Sequence, residues 1–347
     1  MKQLFIGLDV HKKSWAVTIQ EGQLVLKRFS MEADAGLLIA YVSKHYPKHE
    51  VECCYEACCL GFGIYHELTK VGWQVVVVNP ADIPRGNKQS TTKTDKVDSA
   101  YLAKQLAAGH LKAIYVPTHK QEQFRSLFRR RNDLVKNLRR IKCHIKSMLL
   151  YFGTSIPLQY DNINWSKDFI QWLHKQHWSY TPATETLKSR LSEYQFLRKE
   201  YLHICNELRA YARKQYRKEY YLLRSIPGVG PFIAIGLLAE VGDIRRFRGI
   251  DKLSSYIGLV PSVRSSGEKS YTCGITYRSK GLLRSYLIEA AWIAAKKDPV
   301  LMQYYQERKG ADHKKLIIKL AAKTLSRIYH VIKTGEPYQL TPQPATV

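Results

Sequence analysis

Three β-rich runs open the chain: Leu4 to Val10, Ser14 to Gln20 and Leu24 to Phe29. Only His11-Lys12-Lys13 and Glu21-Gly22-Gln23 separate them. Gaps this short impose antiparallel pairing, because a parallel pair needs a crossover of roughly a dozen residues or more. The pattern then changes to alternation. A helix is expected over about Ala33 to His45, a strand over Val51 to Tyr55, a helix over Gly61 to Val71, a strand over Trp73 to Asn79 and a helix over Thr94 to Ala108.

An antiparallel meander followed by helix–strand alternation is the order of an α/β RNase H-like (RuvC-like) sheet. A doubly wound nucleotide-binding fold would alternate from its first strand. No Gly-rich phosphate loop follows Leu4 to Val10, which counts against an NTPase. Charge narrows the partner. Lys and Arg number 55 against 29 Asp and Glu, a formal net charge of +26. Such a charge repels itself in a folded chain unless a polyanion offsets it, so nucleic acid is the expected partner and an anionic membrane surface the weaker rival. No apolar run approaches the ~18–20 residues that span a bilayer, and the N-terminus meets Asp9 too early for a signal peptide. Seven cysteines, four of them in the adjacent pairs Cys53-Cys54 and Cys58-Cys59, suit a reducing compartment. A cytoplasmic protein without membrane attachment is expected.

Residues 121–150 have a different character. Leu127, Leu134, Leu138, Ile141, Ile145 and Met148 follow coiled-coil spacing, with Arg131 interrupting the seam. Nine Lys and Arg, among them Arg130 and Arg139, face two acids, a net +7. A second long helix is expected over about Thr186 to Lys214, and the segment between, 153–182, reads as a Trp- and Tyr-containing loop. Two readings stand: a solvated helical hairpin between domains, or a dimerisation arm whose basic face lies along a phosphate backbone.

Ser225-Ile226-Pro227-Gly228-Val229-Gly230 precedes the apolar run Pro231 to Val241. Gly228 and Gly230 permit a tight turn and close backbone approach, and the following helix start can hold a phosphate. This is a helix-hairpin-helix signature for sequence-independent nucleic-acid contact, with a plain helix–turn–helix joint as the alternative. A polar loop from Pro261 to Lys280 and two amphipathic helices, Leu282 to Lys296 and Lys314 to Lys333, complete the chain. The expected divisions are an α/β domain over 1–112, a basic coiled-coil middle over 113–220 and a mainly α-helical domain over 221–347.

Four acids can carry chemistry. Asp9 lies within an apolar strand and Glu56 just after the fourth strand, which neighbours the first in an RNase H-like order. Asp95 and Asp98 share a helix face at i, i+3. Converging carboxylates need cations, and hard oxygen ligands suit Mg²⁺, as one or two ions. The alternative for Asp95 and Asp98 is a pair of solvated acids near a helix N-terminus. The cysteines around Glu56 lack zinc-finger spacing and read as small buried hydrophobes.

Gly7-Leu8-Asp9-Val10-His11-Lys12, the Glu56 strand end, Lys93-Thr94-Asp95-Lys96-Val97-Asp98-Ser99-Ala100 and Ser225-Ile226-Pro227-Gly228-Val229-Gly230 together resemble the DEDD transposases of bacterial insertion sequences. The class is the "one-ten" one, to which pilin-gene invertases are related. The resemblance spans nearly the whole chain. It implies a RuvC-like domain in which Asp9, Glu56, Asp95 and Asp98 bind Mg²⁺, for which Mn²⁺ can substitute. It also implies a serine nucleophile after a Gly-Leu-x-Pro stretch, here Gly258-Leu259-Val260-Pro261, which places it at Ser266 with Ser265 as neighbouring candidate. Strand exchange would pass through a phosphoserine–DNA link, in a composite site formed between subunits of a homodimer or homotetramer. Arg264, Lys280 and Arg284 would hold DNA phosphates, and a structured guide (bridge) RNA would pair with donor and target DNA. Two further readings remain open: a RuvC-like two-metal nuclease on branched DNA, and a non-catalytic nucleic-acid-binding protein.

Overall fold

Strand β1 (Lys2–Val10) buries Leu4, Ile6, Gly7, Leu8 and Val10, so it is covered on both faces instead of alternating. It occupies the middle of a five-stranded sheet in a computed structural model of the chain. The structure describes residues 2–83, 95–162, 164–266, 269–275, 280–308, 310 and 312–340, with the backbone alone for 95–96 and 261–275. Strands β2 (Ser14–Glu21) and β3 (Leu24–Glu32) complete the antiparallel meander. Helix α1 (Ala35–His45) begins two residues later than expected because Asp34 caps it, its carboxylate accepting from the Leu37 N–H at 3.0 Å. Strand β4 (His49–Glu56), helix α2 (Gly63–Lys70), strand β5 (Gln74–Val78) and helix α3 (Asp95–Ala107) follow. The strand order is β3-β2-β1-β4-β5, with β4 parallel to both β1 and β5. The first and fourth strands are therefore neighbours, as expected.

Helix α3 packs so closely on β1 that a Cβ at Gly7 would collide with the Ser99 carbonyl and the Ala103 N–H. Glycine is what permits the approach. The Thr18 and Ser99 hydroxyls then meet at 3.0 Å in the buried interface, each satisfying the other. These elements belong to one unit, residues 1–116; residues 117–347 form a second.

The second unit is helical. Helix α4 (His119–Tyr151), capped by Thr118, contains no Gly or Pro. It is followed by α5 (Lys167–His174), α6 (Thr181–Gln215), α7 (Arg217–Arg224), α8 (Pro231–Glu240) and α9 (Ile250–Ile257). An antiparallel ribbon of β6 (Pro261–Ser266) and β7 (Lys269–Ile275) precedes α10 (Gly281–Lys297), α11 (Pro299–Gln306) and α12 (His313–Thr334). Two cores result. Phe124 and Phe128 at the start of α4 join α7–α12, whereas Leu134, Ile141, Ile145 and Leu149 join α5 and the first half of α6.

Helices α4 and α6 run antiparallel: the Phe124 ring centroid lies 4.9 Å from that of Tyr211, Arg131 donates to Tyr201, and Arg190 donates to the His144 carbonyl. Their apolar stripes face each other within one chain, in the manner of a helical hairpin. Arg131, the break in the seam, has aromatic company. Its guanidinium lies 4.5 Å from the Phe232 ring centroid and donates to the hydroxyls of Tyr286 at 2.9 Å and Tyr201 at 3.3 Å.

Two expected loops contain regular elements. Segment 153–182 contains α5, whose Phe169 and Leu173 are fully buried. The stretch expected as a polar loop from Pro261 to Lys280 includes the β6–β7 ribbon, in which Val263 faces Thr272 and Pro261 faces Ile275. Only Val263, Thr272 and Ile275 in its strands are β-branched, too few to show the period of two that marks a strand in sequence. Of the cysteines near Glu56, Cys53 and Cys54 are buried as expected, and burial raises both thiol pKa values. Cys58 and Cys59 are exposed instead, because they follow the strand end and leave the sheet. Among the described residues no helix is long and apolar enough to cross a membrane.

Candidate functional site

The C-terminal ends of parallel strands are where α/β sheets gather polar residues. The β1–β4 register pairs Leu8 with Tyr55, so Asp9 and Glu56 are the next residues on two adjacent parallel strands. Both are half-buried. Helix α3 brings the other acids to the same end. Lys104, Ala107 and Ala108 line a groove with Gln20, which pairs with Phe5, whereas Ser99 meets Thr18, which pairs with Gly7. The helix therefore runs back along β1, with its first turn at the Asp9 end. Asp98 lies in that turn, half-buried, and Asp95 is its first residue; the Asp95 side chain, with Lys93 and Thr94, lies outside the described residues. His11 stands beside Asp9, Nε2 to carboxylate 3.4 Å. The acids present oxygen ligands only, a donor set that fits a hard divalent cation.

The second unit holds the other candidates. Ser266 ends β6 opposite Lys269, and Ser265 faces Ser270. The side chains of Arg264, Ser265 and Ser266 lie outside the described residues. Both ends of the ribbon are fastened. Arg284 on α10 donates to the Gly258 carbonyl at 3.3 Å just before β6, and Lys280, after β7, lies 3.8 Å from the Glu240 carboxylate.

Gly228 and Gly230 separate in role. Gly228 has φ +87°, and a Cβ there would collide with the Ala290 carbonyl. Its close approach is to α10, not to solvent. Gly230 caps α8, and a Cβ on it would meet nothing within 4 Å. A groove of about 900 Å³ joins Gly230 and Pro231 to Arg131, Lys136, Arg139 and Arg140 on α4. Arg130 and Arg139 are exposed and, among the described residues, have no ion-pair partner. The turn and the basic helix, read separately in the sequence, thus share one groove.

Sequence reasoning missed Glu240. It ends α8 with 6% side-chain exposure and accepts the Arg129 fork, Nε to Oε1 at 2.7 Å and Nη2 to Oε2 at 3.0 Å. Burial pushes its carboxyl pKa up, but the Arg129 hydrogen bonds and the charges of Arg129, Lys280 and Arg125 bring it below the ordinary value. The signal was present: an acid ending an apolar helix, Ile233 to Ala239, must be paired.

Residues 220–306 match the family described as transposase IS116/IS110/IS902, and residues 6–152 match a DEDD transposase family of IS110 elements. A putative transposase, y4qE, of Sinorhizobium fredii is 30% identical over 300 residues, covering 84% of this chain and 72% of the relative. The transposase for insertion sequence element IS1111A of Coxiella burnetii is 25% identical over 292 residues, covering 82% and 78%. A pilin gene-inverting protein of Moraxella lacunata is 25% identical over 354 residues, covering 97% and 98%. The two matched segments take in the acid-bearing sheet and the ribbon alike, and the chain belongs to the IS116/IS110/IS902 family of insertion-sequence transposases.

Proposed function

We propose that the chain is a divalent-metal-dependent DNA recombinase that moves an insertion element through a phosphoserine–DNA intermediate. DNA cleavage and strand transfer are what membership of a transposase family implies. The observation that carries the reading is the gathering of Asp9, Glu56 and the first turn of α3 at one end of the five-stranded mixed sheet. Asp9, Glu56, Asp95 and Asp98 would hold one or two ions, Mg²⁺ with Mn²⁺ as substitute, and such an ion supplies Lewis-acid charge at the scissile phosphate. Ser266 is the nucleophile in this reading, with Ser265 beside it. Its Oγ bonds to phosphorus, one bridging P–O bond breaks, and the released deoxyribose oxygen takes up a proton as the serine loses one. The phosphodiester energy is kept in the link, so resealing needs no nucleotide hydrolysis.

The basic groove, with Arg139 in its lining, supports binding of donor and target DNA, and Arg130, Lys280, Arg284 and, on the ribbon, Arg264 are further phosphate contacts in this reading. A guide RNA and a homodimeric or homotetrameric assembly in the cytoplasm belong to the same reading. Denaturing gels of element-end DNA incubated with Mg²⁺ and co-expressed flanking RNA test it. A protein–DNA adduct is expected for wild type and Ser265→Ala, and none for Ser266→Ala, Asp9→Asn or Glu56→Gln. Cleaved DNA without an adduct in any variant would replace the serine reading by two-metal hydrolysis. Binding with neither product, once the DNA and RNA partners are verified, would leave a non-catalytic role.

A further inference from the structure

The surroundings of Glu240 carry more positive charge than one carboxylate balances. Arg129 grips it through two hydrogen bonds, Arg125 lies 3.6 Å and Lys280 3.8 Å from Oε2, and Arg246 donates to the next carbonyl, that of Val241, at 3.4 Å. The opposing negative charge is Glu240 itself and the carbonyl end of α8, equivalent to about half a charge. Those carbonyls are already engaged: Arg125 donates to Ala239 and Glu240, and the Tyr256 hydroxyl donates to Glu240. Among the described residues, four cations therefore stand around Glu240 and the carbonyl end of α8, roughly one and a half negative charges.

Two of the four cations face outward. The Arg129 side chain is 55% exposed and that of Lys280 36%, against 13% for Arg125. With Nε and Nη2 directed at Glu240, Arg129 keeps Nη1 without a partner among the described residues. Lys280 is held without a hydrogen bond: its ammonium lies 5.8 Å from the Tyr256 ring centroid and has no hydrogen-bond acceptor among the described residues, and the carboxylate at 3.8 Å is beyond hydrogen-bonding range. Burial, with the charges of Arg125, Arg129 and Arg246, lowers the Lys280 pKa against the pull of Glu240. An ammonium in that position gains from an added anion.

We propose that Arg129 and Lys280, held in place by Glu240, form a binding site for one backbone phosphodiester of a nucleic acid at the root of the β6–β7 ribbon. The proposal deepens the recombinase reading and rests on it for the nature of the ligand. Glu240 is a positioning residue. It orients the Arg129 fork and keeps Lys280 near α8, and Lys280 is the first described residue after the ribbon that carries Ser266. A phosphate there would fix the backbone register of the DNA beside the serine without reading its sequence.

Wild-type protein, Lys280→Gln and the Arg129→Gln/Lys280→Gln double variant, each as the full chain, provide the test. In the first arm each is melted in inorganic phosphate and in chloride at matched ionic strength. Phosphate is expected to raise the wild-type Tm by about 2–4 °C relative to chloride, the Lys280→Gln Tm by less and the double-variant Tm not at all. Equal shifts in all three would make the effect one of general ion exclusion and overturn the site. Lys280→Gln retains the Arg129–Glu240 pair and so keeps the test valid should the double variant fail to fold. In the second arm duplex DNA affinity is measured against NaCl concentration. The slope of log affinity on log salt is expected to fall by about one in the variants. An unchanged slope with a lost phosphate shift would assign the site to free phosphate and overturn the nucleic-acid assignment. Neither arm reads strand cleavage, so failure here and failure of the recombinase reading are separable.

Discussion

At Gly228 one atom would break two constraints. A methyl group there would force an L-residue into the left-handed region at φ +87° and drive it into the Ala290 carbonyl of α10. The first effect costs about 1–2 kcal/mol and the overpacking about 1–3 kcal/mol more. Gly228→Ala is therefore expected to destabilise the helical unit by at least ~2 kcal/mol, seen as an earlier denaturant midpoint. Gly230→Ala, facing open space, is expected to change stability far less. Glu240 makes a different prediction. Its folded pKa is lowered, so its stabilisation is fully present above the ordinary carboxylate range and is lost as pH falls through the lowered value. Glu240→Gln should melt earlier than wild type at neutral pH, with the gap closing on acidification. The loss should lie toward the lower end of ~3–5 kcal/mol, because Arg129 stays partly in water. A pH-independent gap would show that charge pairing is not the cause.

Among the elements, the α4–α6 pair shows what sequence periodicity can and cannot specify. The stripe Leu134, Leu138, Ile141, Ile145, Met148 was legible because five apolar residues at alternating spacings of four and three mark one face of a helix, but a stripe does not name its partner. In the structure the partner is the stripe of Leu187, Leu191, Tyr194 and Leu197 in the same chain. Leu191→Ala is therefore expected to cost ~2–5 kcal/mol by denaturant titration. Because the lost packing is internal, that cost should not vary with protein concentration; a concentration-dependent cost would place the stripe between chains. The N-terminal strands were legible almost to their ends, since turn-sized gaps and β-branched runs agree there. The short helices α5, α9 and α11 were not: about two turns of helix give too few repeats for a period to emerge, and they lack the pair of flanking strands that marked the equally short α2. For the site, Asp9 and Glu56 could be paired from strand order, a property of topology. Gly7 as the seat of α3, and Glu240 as an anchor for cations of α4 and of the residue before α10, depend on contacts between residues 40 or more positions apart or on packing that composition does not encode.

For the whole molecule the +26 charge sets the response to salt. Like charges spread over a folded surface raise its free energy, and added ions screen them over a Debye length of about 10 Å at 0.1 M. Raising NaCl from about 0.02 to 0.2 M should increase Tm in the absence of DNA and weaken duplex binding over the same interval. A Tm that falls over this range would mean that ion pairs such as Arg129–Glu240 outweigh the repulsion. The unbroken course of α4 bears on motion as well as on charge. It belongs to the core around Phe124 and Phe128 at one end and to the core around Ile145 and Leu149 at the other, with no glycine, proline or loop between them. A helix of this kind acts as a stiff lever. A displacement applied at Tyr151 has roughly 40 Å of continuous rod through which to reach Arg125, and no joint along the way to absorb it.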